Sequence, residues 1–189
     1  MKLRRILPVL VLNTLLISLP GQAQVYTSSD GSVEFISTAP LNEFKGTSNH
    51  LAGLINLNKN LVDFYIDMNT IDTGIEKRNR DMRTTYLNTD KYPFAEFTGE
   101  LISSFDPDKM EPQRATVSGT FKLHGVEQQI EVDGILEPNG DGLQLDASWI
   151  VLLKDYDIDR PGILFYELAE EQEISISVLL MESETAEGS

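Results

Sequence analysis

The side chains with the most chemical potential in this chain are few and scattered. His50 and His124 are the only histidines, cysteine is absent, and no serine stands in a Gly-x-Ser-x-Gly elbow. Nucleophilic catalysis therefore lacks both a thiol and a recognisably activated hydroxyl. Neither histidine has the His-x-His or Glu-x-x-His spacing of a metal site or an acid–base pair. We read His124 as part of a turn and His50 as decorating a strand. Asp155-x-Asp157-x-Asp159 is the most regular acidic pattern, and alternating carboxylates can converge on Ca²⁺. A calcium loop, however, wants glycine where Arg160 stands and glutamate where Tyr166 stands. An acidic rim partly neutralised by Arg160 fits better, and no metal is expected. Arg78, Arg80 and Arg83 surround Asp81 in the one dense basic cluster. Guanidinium groups so spaced suit a phosphate or a lipid headgroup. The alternative is that Arg80 and Asp81 anchor a short helix to a neighbouring loop.

Charge narrows the choice of partners. The formal net charge is −15, from 15 basic and 30 acidic residues among 189. Nucleic acid and anionic surfaces select lysine- and arginine-rich patches, so this balance argues against both. The first residues read as an address. Lys2, Arg4 and Arg5 precede a mostly apolar stretch, and Pro20-Gly21-Gln22-Ala23 ends in small residues that suit signal peptidase. That stretch, broken by Pro8, Asn13 and Thr14, falls short of the ~20 apolar residues of a membrane span. A signal peptide over residues 1–23 is expected, cleaved after Ala23, with no stable membrane insertion afterwards. Cleavage removes three basic and no acidic residues and takes the charge to −18. Without cysteine there is neither a disulfide framework nor a lipoprotein attachment site. The exported domain must be held by its core, and one domain over residues 24–181 is expected, followed by an acidic, disordered tail over 182–189.

Positioning elements follow from period-2 alternation, the signature of strands with one buried face. Val33 and Phe35 flank Glu34. Leu51, Gly53, Ile55 and Leu57 share a face, as do Val62, Phe64, Ile66 and Met68. Phe97 and Leu101 flank Gly99. Ala115, Val117, Gly119, Phe121 and Leu123 alternate with polar partners, and so do Ile130, Val132 and Leu136. The series ends with Leu143 to Val151 through Trp149, and with Ile174, Ile176, Val178 and Leu180. Asn and Gly at residues 57–60 and 138–142 mark hairpins, and His124-Gly125 marks a turn. Residues 75–86 break the alternation, with Met82 and Tyr86 four apart on one helical edge. This pattern predicts an all-β domain of about eight antiparallel strands and one short helix that could lid one end. Alternation is equally compatible with a closed barrel and a two-sheet sandwich.

The order of several motifs resembles the YceI-like family. Val33-Glu34-Phe35 leads to Phe44-Lys45-Gly46 and Leu51-Ala52-Gly53-Leu54-Ile55. Ile71-Asp72-Thr73-Gly74 follows, then Asn79-Arg80-Asp81, Leu87 and Tyr92-Pro93. Val117-Ser118-Gly119-Thr120-Phe121, Leu123-His124-Gly125-Val126, Asp155-Tyr156-Asp157-Ile158 and Ile174-Ser175-Ile176-Ser177-Val178 complete the series. Glu127-Gln128 and Ser37-Thr38 depart from the family's usual residues. The resemblance implies a lipocalin-like extended antiparallel β-barrel around a long hydrophobic cavity, binding an isoprenoid or similar amphiphile in the periplasm. No cofactor is expected beyond such an isoprenoid or fatty-acyl lipid, and no catalysis. A homodimer is compatible with the sequence.

Under that reading the cavity wall comprises Val33, Phe35, Phe64, Ile66, Met82, Tyr86, Phe97, Val117, Phe121, Val132, Trp149, Ile176 and Val178. Arg78, Arg80 and Arg83 are the headgroup candidates. Two rival readings each carry a signature. An enzyme acting on a bound lipid or quinone needs a polar group at depth, for which Tyr65, Tyr86 and Asp67 are the candidates. A scaffold protein needs a barrel filled solid with side chains.

Overall fold

In the computed structural model, which describes residues 24–140, 142–160 and 168–183, eight strands form one closed antiparallel barrel. They are β1 (Val25–Ala39), β2 (Asn42–Asn56), β3 (Leu61–Asp67), β4 (Phe94–Leu101), β5 (Gln113–Leu123), β6 (Val126–Asn139), β7 (Gly142–Leu152) and β8 (Glu171–Glu182). Each strand pairs with its sequence neighbours, and β1 pairs with β8 to complete the circle. That closing pair decides between barrel and sandwich. Among the described residues the single α-helix, α1 (Glu76–Asp81), lies in the β3–β4 connection. The expected leader and most of the expected tail lie outside the described residues. β8 itself runs through Glu182, and Ser183 donates to the Val25 carbonyl at 2.7 Å.

Residue chemistry explains the turns. His124 and Gly125 both have positive φ, +53° and +79°, between the paired Leu123 and Val126. That is the backbone of a two-residue hairpin whose twist matches the strands. The imidazole Nδ1 of His124 lies 3.0 Å from the Tyr156 carbonyl oxygen, tying this turn to the β7–β8 connection. His50 is exposed on β2. In β1 the register shifts around Gly31 against β2 and between Thr27 and Ser32 against β8. Such a bulge bends the long strand so that it can serve both neighbours.

Because the chain runs up and down, its connections separate cleanly into two ends. One end carries the β2–β3, β4–β5 and β6–β7 links and is packed solid. Ile55, Leu136, Leu143 and Leu180 are at most 2% exposed there. Phe105, from the β4–β5 loop, packs against the same core, and the Gln113 side chain pins that loop to the Asp106 backbone. The other end carries the β1–β2 and β5–β6 turns and the two long connections. Between the ends the interior is hollow.

Candidate functional site

The hollow is a cavity of about 510 Å³ lined by residues from all eight strands and α1. This lies within the size range of small-molecule sites. Its wall is aliphatic and aromatic over most of its depth. Glycines on the inward face make room for the aromatic rings. A Cβ on Gly53 would sit 2.3 Å from the Phe64 ring. Cβ atoms on Gly99 and Gly119 would sit 3.0 and 2.9 Å from the Phe97 ring and closer still to neighbouring backbone. Phe64 and Phe97 can therefore lie against the wall instead of crossing the lumen. Phe121 meets Trp149 and Tyr156 edge-on, at centroid separations of 5.8 and 5.6 Å.

The long β3–β4 connection builds one side of the open end, and polar side chains hold it in place. Asp67 caps a 3-10 turn at Met68–Thr70 by accepting from Asn69 N at 2.9 Å. Thr47 and Asp72 exchange two backbone hydrogen bonds of 2.9 Å, stitching the connection to β2. The Asp72 carboxylate then accepts from Gly74 N at 2.8 Å and Asn79 Nδ2 at 2.7 Å. Asn79 Oδ1 accepts from both the amide and the hydroxyl of Thr73, at 2.8 and 2.7 Å. Donation by Asn79, then by Gly74, with the positive Arg83 nearby, lowers the Asp72 pKa below the ordinary carboxylate value.

So anchored, α1 and the π-helical turn that follows it at Met82–Tyr86 present Arg78, Met82 and Tyr86 at four-residue intervals to the cavity. The Arg78 guanidinium lies over the Phe44 ring, 4.3 Å from its centroid. Lys77 and Asp81 also line the opening and pair with each other. Asn42, Tyr65, Glu96 and Gln172 are further polar lining residues, and every one belongs to the open half of the barrel. Gln172, 5% exposed, donates to Ser37 Oγ at 3.2 Å and to the Ala169 carbonyl at 2.8 Å. Deeper down, the indole Nε1 of Trp149 is buried and has no hydrogen-bond partner among the described residues.

The cavity brings together Val33, Phe35, Phe64, Ile66, Met82, Tyr86, Phe97, Val117, Phe121, Val132, Trp149 and Ile176. Val178, grouped with them from strand parity, is only 2% exposed and lies outside the lining. Its parity is right, but it fills the gap left by Gly31, whose Cβ would stand 2.8 Å from its side chain. Arg78 is at the opening, whereas Arg80 is exposed and Arg83 turns back to donate to the Ile71 carbonyl at 3.2 Å. Asn79, not Arg80 or Asp81, anchors the helix. Phe44, Leu51, Ile55, Leu101, Leu136, Leu145 and Ile174 also line the cavity. Most of them continue the period-2 faces already visible in the sequence. Tyr65 is 48% exposed at the opening, and Asp67 serves its turn outside the lining. Beside Asp155-x-Asp157-x-Asp159, Arg160 pairs with Glu170 and donates to Leu168 O at 3.0 Å. Among the described residues no three His, Cys, Asp or Glu side chains converge as a metal-ligand set.

Comparison with known proteins agrees with this geometry. The chain is 28% identical over 106 residues to UPF0312 protein plu2095 of Photorhabdus laumondii and spans about half of that curated relative's length, 52%. Three solved structures share the fold. A polyisoprenoid binding domain from Saccharophagus degradans, 17% identical, superposes with a TM-score of 0.73 over 86% of this chain and 100% of that one. BcnA of Burkholderia cenocepacia, 15% identical, gives 0.66 over 79% and 95%. The Campylobacter jejuni YCEI protein, 17% identical, gives 0.60 over 74% and 85%. The YceI-like domain model matches residues 25–180, from the first strand to the last, and the chain belongs to that family.

Proposed function

We propose that this protein is exported and carries a long aliphatic molecule, of isoprenoid or similar amphiphilic type, in the barrel cavity. The observation that carries this reading is the cavity itself: about 510 Å³ with an apolar wall and its polar lining residues at one end. A filled interior would favour a scaffold role, and the hollow one counts against it. Each buried methylene contributes ~0.8 kcal/mol, so a chain of a dozen or more offsets the ~4–15 kcal/mol cost of association. The head stays at the opening. There Arg78, already oriented by Phe44, offers guanidinium donors to a phosphate, carboxylate or quinone oxygen. The Saccharophagus degradans domain is described as polyisoprenoid binding, which supports the same ligand class here. The candidate leader supports export to the periplasm. Burial alone accounts for the activity, and no step needs a catalytic group.

The test is organic extraction and mass spectrometry of protein exported through its own leader and purified without detergent. A stoichiometric long-chain lipid is the expected result, and its mass names the headgroup. Protein that comes out clean and also fails to take up added isoprenols contradicts the reading.

A further inference from the structure

We propose that the closed end of the barrel acts as a ruler, so that the enclosed part of a bound chain is limited to about 16 carbons. This rests on the reading that the cavity holds an aliphatic chain, and adds to it a length. Ile55 and Leu136 form the floor. One layer further out Tyr26, Leu143 and Leu180 are buried but do not line the cavity, and Leu143 and Leu180 are direct cross-strand partners. Phe105 packs against the same core from the loop outside. β6, β7 and β8 stay paired through this end, and at the β1–β8 seam, where the ladder lapses between Thr27 and Ser32, the Val178 side chain packs into the gap at Gly31.

Two independent measures give the same length. On β5 the lining runs from Ala115 near the floor to Leu123 at the open end. Those eight residues, at ~3.4 Å each on strands tilted ~40°, give a depth of about 20 Å. An extended hydrocarbon advances ~1.25 Å per carbon at tetrahedral bond angles, so about 16 carbons fit. By volume, a methylene takes about the room of a water molecule, ~30 Å³. The 510 Å³ cavity then holds about 17 of them. Three five-carbon isoprene units fit inside, and a fourth does not.

The experiment titrates the delipidated protein with n-alkanols from C8 to C24 delivered from cyclodextrin, read by calorimetry or by Trp149 fluorescence. Affinity is expected to rise ~4-fold per methylene up to about C16 and then level off. Leu136→Ala should move the break outward by about three carbons, and Ala115→Leu should move it inward by about three, since those are the carbons removed and added at the floor. A rise that continues unbroken through C24 in the native protein overturns the ruler and leaves chain binding standing. A break that stays put in both folded variants also overturns it. Failure of every alkanol to bind overturns the underlying reading as well.

Discussion

The two ends of this barrel are made from the same eight strands and do opposite things. At the closed end, Ile55, Leu136, Leu143 and Leu180 meet with at most 2% exposure. At the open end, the long β3–β4 connection puts α1 beside the lumen and holds it there with Asp72 and Asn79. One end spends its side chains on packing, the other on keeping a hole open. Stability and binding should therefore be separable by position, and substitutions can test that separation.

The largest effect is expected at the closed end. Leu180→Ala removes a side chain with no exposed surface and should cost about 2–5 kcal/mol, read as a lower urea midpoint at unchanged slope. A loss well under 1 kcal/mol would mean this end is looser than its packing indicates. Next is Asn79→Ala at the open end. It leaves the Thr73 amide without its acceptor and removes a donor from Asp72, for about 1–3 kcal/mol. Hydrogen exchange should accelerate in residues 76–86 while the closed end stays protected. Uniform acceleration would dissolve the distinction between the ends.

Titration sharpens the same contrast. The lowered folded pKa of Asp72 means that its contribution is complete above the unfolded value of 3.8 and is lost as pH falls through the folded one. Loosening of α1 should thus precede global unfolding in acid. In alkali, burial and then Glu182 raise the Tyr26 pKa at the closed end, while burial and then Asp155 push Tyr156 up to about 12. Raised folded values keep stability intact below about pH 10 and erode it toward pH 12. Tyr156→Phe should flatten that alkaline decline. The smallest effect is expected from Trp149→Phe, within about 1 kcal/mol either way, because lost packing is offset by removing an unpartnered buried N–H.

Strand residues were the most legible part of the molecule. Alternation along Val62-Phe64-Ile66 or Val117-Phe121 states which side chains face inward, and the barrel keeps that parity. Depth was not legible. Val178 and Ile176 share one face, yet only Ile176 lines the cavity, because Val178 fills the space beside Gly31 on the neighbouring strand β1. That relation is tertiary and leaves no periodic trace. Arg78 and Arg83 looked alike in sequence for a similar reason. Four-residue spacing from Met82 and Tyr86 selects Arg78 for the cavity face, whereas Arg83 is drawn to the Ile71 carbonyl by a turn formed later. Asn79 stands in the Asn79-Arg80-Asp81 motif, but its anchoring role depends on Thr73 and Asp72 folding against it, which no local spacing encodes.

Trp149 offers the most direct test of the central claim, that the lumen receives an aliphatic chain. It is the only tryptophan in the chain and it lines the cavity. A fatty acid brominated along its chain quenches indole fluorescence only on close contact. Saturable quenching at one chain per barrel, reversed by the unbrominated acid, is the expected result. Quenching that is absent, or that rises linearly with no saturation, would contradict it.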